Sequence, residues 1–200
     1  TLTDSTLLLP TTIQTDKLDP KSGTDLEIGS SGDTITIPSG ATITNSGTAT
    51  GFSNAGEPYF QATMSTAAQT LSDASAAKVA FNVASIDSGS TYDTTNYRWT
   101  PAVVGKYFIS SSVLGYGPGD SQLQTISMTF NKNDSIIFYF GNADNRTSYP
   151  RGKGCTGSIL VELDADDYIE VFATVNTVDG GAPTVNGESS QTWFNGFKIA

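Results

Sequence analysis

No histidine occurs among the 200 residues, and cysteine occurs once. The first absence removes Ser-His-Asp and Cys-His catalysis, His-ligated zinc and an imidazole proton shuttle. The second removes an intrachain disulfide and any cysteine metal cluster. Positive charge is scarce: 10 Lys+Arg stand against 20 Asp+Glu, a formal net charge of −10. A binder of the nucleic-acid backbone needs clustered Lys and Arg to displace counterions, so that class is excluded. Apolar runs are short. Leu7 to Leu9 and Ile136 to Phe140 fall far below the ~20 residues that span a bilayer, so no membrane insertion is expected. No basic n-region followed by an apolar h-region opens the chain, and no uncleaved secretory signal is expected.

Aromatics are missing from one part of the chain. Phe52 is the only one in residues 1–56, whereas every Trp and Tyr and all the other Phe follow. Ser and Thr together supply roughly a quarter of the residues, above ordinary globular usage. Such different core-forming material predicts separate structural units. Residues 1–20 read as an anchoring arm, with Leu7, Leu8, Leu9 and Ile13 as its contact residues. Three adjacent exposed leucines are a liability unless a partner surface covers them.

Residues 21–56 read as a β-rich shaft or collar. Leu26-Glu27-Ile28, Thr34-Ile35-Thr36-Ile37 and Ala41-Thr42-Ile43-Thr44 alternate apolar with polar, and Gly/Ser/Asp/Pro clusters separate them. A period of two marks strands, and the clusters mark turns. Each rung offers only one or two apolar side chains, too few to offset backbone ordering at ~1–2 kcal/mol per residue. Three chains wound together would bury a shared thread. A disordered Gly/Ser/Thr linker is the competing reading.

From residue 57 on, short apolar and aromatic runs are bounded by Gly, Asn, Asp and Ser. The runs are Phe60 to Met64, Lys78 to Ala84, Arg98 to Thr100, Gly105 to Val113, Gln124 to Asn131, Ser135 to Phe140, Ser158 to Leu163, Asp167 to Ala173 and Trp193 to Ile199. Ile126, Met128 and Phe130 fall on one face of their run. The nearly continuous run Ser135 to Phe140 is expected to be buried on both faces. Met64 to Lys78 is Ala- and Ser-rich and reads as loop plus strand start rather than helix. Regular short strands with turn signals predict an all-β, antiparallel two-sheet jelly roll.

These residues carry a resemblance. Val79-Ala80-Phe81-Asn82, Asn96-Tyr97-Arg98-Trp99-Thr100-Pro101 after Tyr92-Asp93, Gly105-Lys106-Tyr107-Phe108, Asn131-Lys132-Asn133, Asp164 to Val171, and Phe194-Asn195-Gly196-Phe197-Lys198-Ile199 follow in order over residues 57–200. Together they resemble the C1q-type domain of the tumour-necrosis-factor-like jelly rolls. Asp166 departs from the pattern, standing where that family usually has Gly. The resemblance implies a ten-stranded jelly roll that assembles as a trimer, and a binding and assembly module rather than an enzyme. Some members bind calcium near the trimer axis through carboxylates; no position here matches such a ligand, so a structural calcium stays unassigned and no other cofactor is expected. Residues 16–43 resemble the shaft-leading segments of fibre and virion structural proteins of tailed bacteriophages. The combination implies a homotrimeric capsid decoration or short head or tail fibre on the virion surface, with other virion proteins and host-surface glycan as partners. The alternative is a secreted C1q-type recognition module of a cell, for which a Gly-X-Y stalk is expected and none occurs here.

Candidate sites are few. Asp164, Asp166 and Asp167 with Glu162 and Glu170 read either as a cation site or as a solvated turn without Asp-x-Asp-x-Asp-Gly spacing. A carboxylate pair for glycan cleavage would need a separation of ~5–9.5 Å that sequence does not supply, and no enzymatic activity is expected. The basic loop 142–155 offers Arg146, Tyr149, Arg151 and Lys153 for surface recognition, and the Gly/Pro loop near it in character offers Tyr116 and Asp120. Cys155 reads as an inert thiol unless its basic neighbours lower its pKa.

Overall fold

The structure, a computed structural model, describes residues 18, 20, 23–42, 44, 46, 57–141 and 148–199. The chain divides into two units, Thr1–Thr50 and Gly51–Ala200. In the first, residues 23–42 form neither helix nor strand but contain two hydrogen-bonded turns. Leu7, Leu8, Leu9 and Ile13 lie outside the described residues.

The second unit is all β. Its strands are β1 (Tyr59–Thr63), β2 (Gln69–Thr70), β3 (Ala77–Lys78), β4 (Val83–Asp87), β5 (Tyr92–Asp93) and β6 (Arg98–Trp99). The long strands follow: β7 (Gly105–Tyr116), β8 (Leu123–Lys132), β9 (Ser135–Phe140), β10 (Gly152–Leu163) and β11 (Ile169–Thr177). Then come β12 (Thr184–Val185) and β13 (Trp193–Lys198). The first sheet runs β2-β12-β7-β13-β1-β4, with β10 on the free side of β7; the second runs β5-β6-β11-β8-β9, with β3 also on β11. Every pairing is antiparallel. This is the two-sheet jelly roll expected from the spacing of the runs.

Alternation explains the core. Along β7, Tyr107, Ile109 and Val113 point between the sheets and are buried. Along β8, Ile126, Met128 and Phe130 do the same, as their period of two predicts. At one place the core is aromatic. Phe60 packs on Trp99 with ring centroids 4.5 Å apart and edge-on to Phe194 at 4.7 Å. Trp99 satisfies its indole N–H by donating to Thr91 Oγ1 at 2.8 Å. A Cβ on Gly196 would lie 2.7 Å from Ile109 Cδ1 and 3.0 Å from Phe60, so the inward position between Phe194 and Phe197 has no room for a side chain.

Two expectations are corrected. Ser135 to Phe140 is not buried on both faces. It forms β9, which among the described residues pairs only with β8 and so is an edge strand, and Ile136 is 64% exposed and Tyr139 56%. An apolar run signals burial in a central parallel strand, but it reads the same on an edge that awaits a partner. Lys78 to Ala84 is not one strand. The ladder breaks between β3 and β4, and Val79 and Phe81 enter the core from the connecting backbone, with the Val79 N–H donating to Val171 O at 2.9 Å. Asn133 and Asp134 join β8 to β9 with φ of 49° and 64°, the paired positive values of a type I′ hairpin turn.

Candidate recognition site

Strand register sorts the unit's residues to two ends. β7 and β10 pair along their whole length, from Gly105↔Leu163 to Gly152↔Tyr116. The chain enters the sandwich beside the Gly105 end, because Tyr59 pairs with Phe197, and Phe197 with Phe108. The loops around Tyr116 therefore lie at the end away from this entry.

At that far end three candidate residues meet. Tyr116 closes β7, Arg151 precedes β10 and Asp120 sits in the loop between β7 and β8. The Arg151 guanidinium lies over the Tyr116 ring, 5.7 Å from its centroid, and Arg151 Nε is 3.7 Å from Asp120 Oδ1. Gly152 permits this: a Cβ there would come within 2.3 Å of the Tyr116 ring. The Gly117 N–H donates to Arg151 O at 2.8 Å and fixes the two loops together. The neighbouring 178–183 loop joins them, with Gln122 Nε2 donating to Asp179 Oδ2 at 2.7 Å. The result is a solvent-facing aromatic, cation and carboxylate on a backbone frame, which suits hydrogen bonding and stacking rather than proton transfer.

The other candidates fall elsewhere. Lys153 lines a cleft of about 390 Å³ with Ile126, Phe140 and Cys155. Tyr149 is half-buried, and Arg146 lies outside the described residues. Burial pushes the Cys155 thiol pKa up, outweighing nearby Lys153, and the thiol donates to Phe140 O at 3.4 Å. It is an inert core thiol, not an activated one.

The acidic turn is occupied by internal partners. Asp164 N–H donates to Asp167 Oδ2 at 2.7 Å, Asn133 Nδ2 donates to Asp167 Oδ1 at 2.6 Å, and Lys132 forms an ion pair with the same carboxylate. Burial pushes the Asp167 carboxyl up, but Lys132, the Asp164 N–H and Asn133 together outweigh it and hold it below the usual carboxylate range. Among the described residues, no group of three or more His, Cys, Asp or Glu is placed to hold a metal ion.

One surface was not singled out in the sequence. Leu160, Phe108, Phe197 and Tyr59 are successive cross-strand partners on β10, β7, β13 and β1. All face away from the core. Leu160 is 73% exposed, and the Phe108 and Phe197 rings pack tilted at 37° with centroids 5.5 Å apart. Val104 and Ile199 extend the belt, and shallow grooves of about 330 and 310 Å³ flank it. The signal existed in part: Phe108 alternates with Tyr107 and Ile109, and Leu160 with Ile159. Their meeting at one level depends on register.

A family model described as the C1q domain matches residues 59–199. The chain belongs to the C1q domain family. Among solved structures, murine APRIL at pH 5.0 matches with a TM-score of 0.53 and 14% identity, covering 72% of this chain and 99% of that one. Eiger TNF from S. frugiperda matches with a TM-score of 0.53 and 14% identity, covering 72% of this chain and 93% of that one. At these identities the likeness is one of fold. No curated protein sequence matches the chain. C1q domains form homotrimers and serve as recognition modules. For this C1q domain, the belt and the Arg151 end are accordingly the two surfaces with work to account for.

Proposed function

We propose that the chain is a homotrimeric attachment and assembly protein of a bacteriophage virion, a capsid decoration or short head or tail fibre. In this reading the C1q domain self-associates through the Leu160–Phe108–Phe197–Tyr59 belt. It presents the Tyr116–Asp120–Arg151 cluster at the end away from the chain's entry. The arm bearing Leu7, Leu8, Leu9 and Ile13 joins other virion proteins. The observation that carries the self-association is the belt itself: large apolar side chains in register across adjacent strands, next to two shallow grooves. The exposed strand β9, with Ile136, Phe138 and Tyr139, is the matching element of a second copy. An uncovered apolar edge of that kind templates aggregation unless a specific partner covers it.

The virion setting is supported by the phage-like wording of residues 16–43. The cluster suits a host-surface glycan, whose apolar ring faces stack on tyrosine and whose hydroxyls bond to carboxylate and guanidinium. No bond-breaking chemistry is assigned to it.

Light scattering on the full chain tests the assembly: a three-chain mass is expected, and a single-chain mass overturns it. A glycan-binding screen tests the tip. Arg151→Ala is expected to abolish any binding found while leaving the mass unchanged. Binding that survives the substitution moves the site elsewhere.

A further inference from the structure

The segment 23–42 contains a repeat that the described residues of its own chain leave unfinished. Ser30–Asp33 and Pro38–Ala41 are turns closed by Asp33 N–H to Ser30 O at 2.9 Å and Ala41 N–H to Pro38 O at 3.1 Å. Each has glycine in its third position, Gly32 with φ +95° and Gly40 with φ +87°, the arrangement of a type II turn. The same turn thus recurs after eight residues. Asp33 Oδ2 also accepts the Ser30 N–H at 2.7 Å and locks the first. Before each turn stands an apolar pair in i, i+2 spacing, Leu26 with Ile28 and Ile35 with Ile37. The apolar pairs recur after nine residues, and Gly29 at φ +82° takes up the odd residue.

Turns of repeated geometry belong to an ordered path, not to a random linker. Yet all four apolar side chains are 47–60% exposed. No strand pairing occurs among the described residues of the segment. A period-two apolar pair needs a surface to face, and extended backbone needs ladder partners. Neither is supplied from within the described segment.

We infer that this segment is completed by the same segment of two further copies, as an intertwined three-chain stalk with Leu26, Ile28, Ile35 and Ile37 of each copy in a shared apolar thread. The inference rests on the homotrimer proposed above. Tyr59, the first strand residue after the segment, is a member of the belt. Burying the belt between copies brings three chain entries together, and linked segments then meet at high effective concentration. A different protein as occupant would need its own matching repeat; a second and third copy have it by construction.

Hydrogen exchange on the full chain, run beside light scattering, tests this. The amides of Thr34 to Ile37 are expected to exchange about 100-fold more slowly than in an unstructured chain. In the double variant Ile35→Ser/Ile37→Ser that protection disappears, while the three-chain mass and the fluorescence of Trp99 and Trp193 stay unchanged. Unprotected amides in a species of three-chain mass overturn the stalk and leave the homotrimer standing. Protection that survives the double substitution overturns the apolar thread. A single-chain mass overturns the homotrimer and the stalk with it, and protected amides in that species would place the ladder partner within the chain.

Discussion

The outward face of the first sheet carries Leu160, Phe108, Phe197 and Tyr59 at one level, whereas the outward face of the second carries Glu170, Asn131 and Thr129. The exposures run opposite to the polarities. Leu160 is among the most exposed residues of its sheet, and Glu170 is 1% exposed. Glu170 is covered from within the chain: Lys78 reaches it from β3 in an ion pair and lies over the Phe172 ring, 5.8 Å from its centroid. Thr129 Oγ1 donates to Asn131 Oδ1 at 2.9 Å. Over β11 and β8 the second sheet therefore finishes its polar surface by itself, whereas the belt of the first sheet, like the edge strand β9 of the second, is left for something else to finish. A jelly roll needs only its inward faces to fold, so the outward faces are free to differ in this way.

The sharpest way to break this comparison is to make the first face polar. Leu160→Asp with Phe197→Asp is expected to convert a three-chain mass into a single-chain mass by light scattering. Each large apolar side chain that loses its burial forfeits about 2 kcal/mol, and the new carboxylates oppose the contact further. A mass that stays at three chains would show that the belt is not the contact.

A smaller effect is expected on the second face. Lys78→Ala strands the Glu170 carboxylate and should lower the unfolding free energy by about 3 kcal/mol, the lower end for a buried pair because Lys78 is partly exposed. Chemical denaturation measures it, and the three-chain mass should persist. Adding Glu170→Gln should recover most of the loss. If it does not, Lys78 acts by packing on Phe172 rather than by charge.

The smallest effect is one of pH at the end shared by β8, β10 and β11. Lys132, the Asp164 N–H and Asn133 outweigh burial and hold the Asp167 carboxyl below the usual carboxylate range. Its contribution is therefore complete above about pH 4 and is lost as pH falls through the folded value. Thermal melting between pH 2 and 6 should show an acid loss that Asp167→Asn reduces. An unchanged acid limb in that variant would assign the loss to other carboxylates.

Much of the fold was legible because inward residues announce themselves by period. Ile126, Met128 and Phe130, or Tyr107 and Ile109, need only a count of two. Ser135 to Phe140 misled for a physical reason: an apolar run says that burial is wanted, not which molecule supplies it. The candidate tip was half legible. Tyr116, Asp120 and Arg151 were singled out by residue type, but Arg151 stands 35 positions beyond Tyr116 in the numbering. The β7–β10 register that joins them cannot be counted off one strand. Lys153 was separated from its neighbour Arg151 by the same register, and the belt depends on three registers at once.

The twelve-residue pairing of β7 with β10 has a mechanical consequence. It spans about 37 Å at the usual rise per residue. A tug on Arg151 or Tyr116, resisted where the chain enters at Tyr59, runs lengthwise along the strands. Load in that direction is shear, shared by many rungs together, rather than peeling that opens them one after another. Holding fast under tension is thus built into the direction of the strands, before any ligand is chosen.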